Sequence, residues 1–244
     1  MNIAIIFAGG TGQRFSHESL PKQFVEVDQK PIIIHTLEIF ENHNLIDKIY
    51  ISIHHQYYSL MCELISKYKL NKVKGIVNGG ETAQKSIYNA LIKAQTENPD
   101  NSIVLIHDGV RPIVDDDVIS ENIKNVKIYG NSITCTPCYE TILLSKDGKH
   151  PNTVPYRKNT YAAQAPQCFY LNEIIDAHKQ IKKLKPNYED MIDSCTIFHT
   201  LNKTTYMCNG NFGNIKVTTP RDLYILEALL KYRNRENYEL HRCN

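Results

Sequence analysis

Directly after an apolar N-terminal run comes Ala8-Gly9-Gly10-Thr11-Gly12-Gln13-Arg14. Glycines let the backbone come close to a ligand and turn its N–H groups inward, which makes a cradle for phosphate. Arg14 closes the loop, and Lys22 follows within Leu20-Pro21-Lys22-Gln23-Phe24. A guanidinium grips two oxygens at once and an ammonium supplies a compact charge, so the pair suits a triphosphate. Taken alone, a glycine turn serves equally as a tight strand-to-helix connection. The spacing does not match G-x-G-x-x-G, and G-x-x-x-x-G-K-[ST] is absent, which argues against a nicotinamide dehydrogenase and a P-loop enzyme.

A carboxylate is the second ingredient. Asp108 ends a strongly apolar stretch, Ile103-Val104-Leu105-Ile106-His107-Asp108, and Arg111-Pro112 follow closely. An Asp in such a place is commonly a turn former or a helix cap. Facing a triphosphate it has another use: Mg²⁺ takes hard oxygen ligands and completes its shell with water and substrate phosphates. Cys135 and Cys138 form a C-x-x-C, but no second pair accompanies it and it lies at a strand end, so these read as two incidental thiols. The seven cysteines are scattered and odd in number, which fits free thiols in a reducing compartment and a cytoplasmic location.

The elements that must position these groups alternate along the chain. Strands are expected at Asn2–Ala8, Lys48–Ile53, Val73–Val77, Ser102–His107 and Asn131–Thr136. Helices are expected between them at Pro31–Phe40, Tyr57–Tyr68, Glu81–Thr96 and Val118–Tyr129. That order implies an α/β fold: a Rossmann-like, open, mostly parallel sheet with helices on both faces and ligands beyond the carboxyl ends of the strands. The alternation breaks at 138–159, which reads as two short extended runs around a turn at Asp147-Gly148. A lone two-stranded arm is marginal unless it packs on something, and a second copy of the chain is the expected partner. Helices near Leu171–Leu184 and Asp190–Phe198, a strand pair near Thr204–Val217 and a last helix near Pro220–Tyr232 complete a single domain, with 138–159 as its arm.

Bulk properties exclude other classes. The net charge of +2 is too small and dispersed for nucleic acid or a membrane surface, and no apolar run reaches the roughly 20 residues of a membrane span.

The motifs together resemble the cytidylyltransferases that make CDP-alcohols from methylerythritol phosphate or ribitol phosphate. The likeness rests on AGGTGQR with LPKQF, on His107-Asp108-x-x-Arg111-Pro112, on Gly79-Gly80 with Ser86, and on Gly213-Asn214-Ile215-Lys216-Val217-Thr218-Thr219-Pro220. It implies that CTP is held by Ala8, Gly9, Gly10, Thr11, Gly12, Gly79, Gly80, Ser86 and Asp108. Arg14, Lys22 and Lys216 would act on the phosphates. Arg111, Thr141 and Arg157 would face the acceptor, Arg157 by crossing a dimer, and Asp108 would hold Mg²⁺. The family's Arg near the base is Ala83 here, and Lys85 is the nearest cation that could replace it. Gln164-Ala165-Pro166-Gln167 resembles the family's Q-T-P-Q, and Asp193-Ser194-Cys195 the ribitol branch's D-A-C. With Val110, the latter favours a pentitol phosphate over methylerythritol phosphate as acceptor. An NDP-sugar-forming nucleotidyltransferase and a CTP-binding regulatory module are the competing readings.

Overall fold

A computed structural model describes the backbone of residues 1–9 and 20–242, and side chains as far as residue 233. Its centre is β1 (Asn2–Ala8), whose Ile-rich sequence is buried on both sides. Such two-sided burial belongs to a strand covered by helices on each face. β1 pairs in parallel with β4 (Lys48–Ile53) on one side and β6 (Ile103–Asp108) on the other. β5 (Val73–Asn78) extends the sheet beyond β4. On the far side come β8 (Tyr161–Tyr170), β7 (Asn131–Pro137) and β9 (Met207–Asn209), in the order β5-β4-β1-β6-β8-β7-β9. Only β8 runs antiparallel to its neighbours. A small hairpin, β2 (Glu26–Val27) with β3 (Lys30–Pro31), stands apart from this sheet.

Alternate residues of β1 feed two cores. Ala4, Ile6 and Ala8 pack beneath α1 (Ile32–Asn42), α2 (Tyr58–Lys67) and α4 (Asp116–Tyr129). Ile3 and Ile5 pack beneath α3 (Ala83–Glu97), α5 (Leu171–Leu184) and α6 (Ser194–Thr200). A third cluster joins Val110, Ile113 and Val217 to Leu226 of α7 (Pro220–Arg242).

Most expected elements appear within one or two residues; the last helix runs ten residues past the expected Tyr232, to Arg242, and three other regions differ. β8 was not expected: its sequence, YAAQAPQCFY, carries a proline and no clean alternation, and it earns its place by pairing on both edges. The strand pair near 204–217 is a single short strand, β9. Beyond it, side chains replace the ladder: Asn211 Nδ2 donates to the Ile113 carbonyl at 3.1 Å and Asn214 Nδ2 to the Ala165 carbonyl at 2.7 Å. The helix expected from Asp190 begins at Ser194, because the Asp193 carboxylate caps it by accepting from Thr196 N at 2.8 Å. In the 138–159 arm the two runs touch through one bridge, Leu144 with Thr153, and Gly148 turns the chain at φ +69°.

Candidate functional site

The strand order places a topological switch between β1 and β6, since the chain leaves β1 for β4 on one side and β6 for β7 on the other, and ligand sites open at such points. Phe7 of β1 and Asp108 of β6 are register partners there. A cavity of about 270 Å³ opens at this rim, lined among others by Ala8, Gly9, Lys22, Gly80, Asp108 and Lys216.

One wall is built from two glycine turns that nearly touch. A Cβ on Gly79 would lie 3.0 Å from the Gly9 Cα, so the two backbones can approach this closely only because both side chains are absent. Gly79 is tied to the end of β4 by its N–H donating to the Ile53 carbonyl at 2.7 Å. Ser86, on the first turn of α3, accepts from Gly80 N at 3.0 Å and donates to the Thr82 carbonyl at 2.9 Å. The start of α3 and the end of β5 are thereby locked together beside the cavity.

The opposite wall carries the charges. Lys216 lies 2.5 Å from Asp108 Oδ1, and Arg111 Nε donates to Asp108 Oδ2 at 2.8 Å. Asp108 is almost wholly buried. Burial is the largest single influence on its carboxyl and would raise its pKa, yet the combined pull of Lys216 and Arg111 takes it below the ordinary value. His107 points to the other face, against the Phe40 ring with centroids 5.0 Å apart, and lies 3.0 Å from the Arg111 carbonyl through Nε2. Burial lowers its pKa to about 4, against the opposing pull of that carbonyl and of Asp108. It is therefore neutral at pH 7 and takes a structural part at the back of the site.

Lys216 sits on irregular chain, so its position depends on tethers. Val217 N donates to the Val110 carbonyl at 2.9 Å, and Arg111 Nη1 donates to the Asn214 carbonyl at 2.8 Å. Lys22 reaches the same strap, its ammonium 3.0 Å from the Val217 carbonyl. Past it, Asp222 accepts from Thr218 and Thr219 and fixes the start of α7. Gln23, fully buried next to Lys22, donates to the Ala8 carbonyl at 2.9 Å and ties the Pro21-Lys22-Gln23-Phe24 turn to the end of β1. Lys22, Asp108 and Lys216, 194 residues apart at their extremes, thus meet at one rim.

A second, smaller cavity of about 100 Å³ adjoins the first, and Asp108 and Lys216 line both. Arg111, Gln164, Gln167, Asp193 and Ser194 border it. Of these, only Arg111 stood among the expected site residues. The others come from β8 and from the turn into α6. They carry no periodic signal, and their short motifs have no evident chemistry until β8 is placed beside β6.

The expected residues other than Arg111 fall into three groups. Ala8, Gly9, Lys22, Gly80, Ser86, Asp108 and Lys216 line the first cavity, with Gly79 immediately behind it. Gly10, Thr11, Gly12 and Arg14 lie outside the described residues. Thr141 and Arg157 are exposed on the arm and line neither cavity, Arg157 Nη1 donating to the Tyr139 carbonyl at 3.4 Å. Lys85 does not take the place of the absent Arg: its ammonium lies over the Tyr88 ring, 6.0 Å from the centroid, and outside the cavity lining. Its stem packs on Gly80 and holds it there.

Among the described residues no three His, Cys, Asp or Glu side chains are grouped as a metal site, and no helix is long and apolar enough to cross a membrane. Asp108 and Glu81 are the carboxylates among the described lining of the larger cavity, and such a set suits Mg²⁺, which commonly takes one or two carboxylates and draws its remaining ligands from phosphate and water.

Known proteins resemble the chain over nearly its whole length. The chain is 40% identical to a ribitol-5-phosphate cytidylyltransferase of Streptococcus agalactiae serotype III (strain NEM316) over 99% of both chains. It is 35% identical to a 2-C-methyl-D-erythritol 4-phosphate cytidylyltransferase of Clostridium botulinum (strain Loch Maree / Type A3), over 94% of this chain and 97% of that one. The crystal structure of 4-diphosphocytidyl-2C-methyl-D-erythritol synthase from Anaerococcus prevotii DSM 20548 superposes with a TM-score of 0.81 at 24% identity, covering 94% of this chain and 96% of that one, and so shares its fold. The family model described as IspD, 2-C-methyl-D-erythritol 4-phosphate cytidylyltransferase, matches residues 2 to 232, and the chain belongs to that cytidylyltransferase family.

Proposed function

We propose that the chain transfers CMP from CTP to D-ribitol 5-phosphate and releases pyrophosphate. The observation that carries this reading is the meeting of two cavities at Asp108 and Lys216. The larger, with its glycine wall and lysines, takes the nucleotide; the smaller takes the acceptor. A phosphate oxygen of the acceptor then attacks the α-phosphorus of CTP in line with the departing pyrophosphate. No covalent enzyme intermediate is required, so the protein's work is to align two anions and neutralise the charge that develops between them. Lys22, Lys216 and Arg14 supply the positive charge. Mg²⁺, when bound through Asp108, neutralises charge on the phosphates; the carboxylate would yield one of its two present cation contacts to it. Ribitol is favoured over methylerythritol as the acceptor skeleton by the more similar relative of the two reported and by Val110. A cytoplasmic location accords with the six cysteines of the described residues, all free thiols.

Pyrophosphate release tests the reaction. CTP with Mg²⁺ and ribitol 5-phosphate is expected to be turned over faster than CTP with methylerythritol phosphate, and UTP is expected to be poor. Turnover with sugar 1-phosphates in preference to both alcohol phosphates, or CTP binding without pyrophosphate, would exclude the assignment.

The working unit is a homodimer formed through the 138–159 arm. Tyr139, Leu143, Leu144, Val154 and Tyr156 of this arm are each at least 51% exposed, a concentration of apolar surface that water disfavours. Arg157 and Thr141 line neither cavity of their own chain, and in the dimer they would serve the partner's acceptor site. Sedimentation equilibrium is expected to give twice the chain mass, and the double substitution Leu143→Asp/Leu144→Asp to give monomers with a raised KM for the acceptor. A wild-type monomer at all concentrations removes the arm from the site.

A further inference from the structure

Lys216 sits two residues beyond a turn, Asn211-Phe212-Gly213-Asn214, which Asn214 N closes by donating to the Asn211 carbonyl at 3.3 Å. The flanks of this turn are tied inward. Asn211 Nδ2 donates to the Ile113 carbonyl and to Asp115, and the Asn211 carbonyl also accepts from Gln164 Nε2 at 3.1 Å. Asn214 Nδ2 donates to the Ala165 carbonyl. The corner residue Phe212 is left half exposed and belongs to none of the three cores among the described residues. Its ring lies instead against Tyr139, with centroids 4.3 Å apart and planes tilted by 31°.

Tyr139 stands at the root of the 138–159 arm, two residues past the end of β7. Cys138 N donates to the Thr160 carbonyl at 2.9 Å, which closes the two runs of the arm at their base. Arg157 Nη1 donates to the Tyr139 carbonyl, so the second run also holds this residue. A tilted ring pair at this distance is attractive beyond the area it covers. A shift of the arm root therefore reaches the turn through the two rings. The turn leads directly to Lys216, whose ammonium must stand in one place between two bound anions. Misplacing such a group by about 1 Å costs much of its effect.

We propose that Phe212 is a positioning residue: through the Tyr139 ring it couples the placement of the arm to that of Lys216 in the same chain. This rests on Lys216 acting on the phosphates in the proposed reaction. Phe212 lines neither cavity, so it acts through the strap and not on a substrate. The root of the arm thereby serves its own subunit, a part separate from that of Arg157.

The test is steady-state pyrophosphate release, with the sedimented mass of each variant checked against the wild type. Phe212→Ala is expected to lower kcat about three- to tenfold, the worth of one aromatic pair, with the KM for CTP and the mass unchanged. Phe212→Tyr keeps the ring and is expected to restore most of the rate. Tyr139→Ala is expected to lose a similar factor, and the double variant to be no worse than either single one, because both remove the same contact. In a Lys216→Ala background, Phe212→Ala is expected to cost nothing further. An unchanged kcat in Phe212→Ala, additive losses in the double variant, an equal loss without Lys216, or a loss that accompanies a changed mass each overturn the coupling while leaving the reaction intact. If the wild type releases no pyrophosphate from CTP with any alcohol phosphate, the reaction itself fails and this assignment falls with it.

Discussion

Lys216→Ala is expected to lower kcat by about 10²–10³, the usual effect of losing one preorganised electrostatic group at a charged transition state. Its ammonium borders both cavities and pairs with the one carboxylate they share. That position serves charge which develops between two bound anions, so the loss should appear in kcat more than in the KM for CTP. Lys216→Arg is expected to recover little, because a forked guanidinium is wider than an ammonium and Arg111 already occupies the other carboxylate oxygen. Steady-state kinetics with both substrates varied gives the partition. A variant with unchanged kcat would remove Lys216 from the chemistry and leave it as a surface partner of Asp108.

Acid should destabilise the fold well before most carboxylates titrate. His107 and His178 are both buried, and burial lowers each to about 4 from an ordinary 6.5. The unfolded chain takes up these two protons as pH falls below 6.5, whereas the native chain refuses them until about 4. Their contribution is therefore intact above 6.5 and drains away as pH drops through that window. Each histidine accounts for about 3 kcal/mol and the pair for about 6, a large share of the 5–15 kcal/mol that holds an ordinary domain folded. Asp108 and Asp222, both lowered, add to the loss at still lower pH. Urea midpoints from pH 7 to pH 4.5 should fall throughout. His178→Phe keeps a ring against Tyr88 and Tyr188 and should remove about half of the slope. A flat profile in the wild type would mean that water reaches both imidazoles.

The local elements were legible in the sequence because each carries its own signal. An Ile-rich run names β1, helical spacing names α1 and α3, and glycines mark the turn that follows β1. The site was legible in part for the same reason: phosphate binding needs glycine, lysine and a strand-end carboxylate in short motifs. β8 and the 211–217 strap were not legible. The first is a strand only because β6 and β7 lie on its two edges, and the second holds its shape through Asn211 and Asn214 reaching to residues about a hundred and about fifty positions away.

What the sequence determined by itself was the alternation of strand and helix, and with it the parallel sheet, the switch point and the kind of ligand that gathers there. Only the tertiary structure decided that Lys216 closes on Asp108 and that a second cavity opens beside them. Periodicity and turn chemistry act over a few residues and are written locally. Pairing between distant side chains depends on which strands become neighbours, and that is settled when the whole core is buried at once.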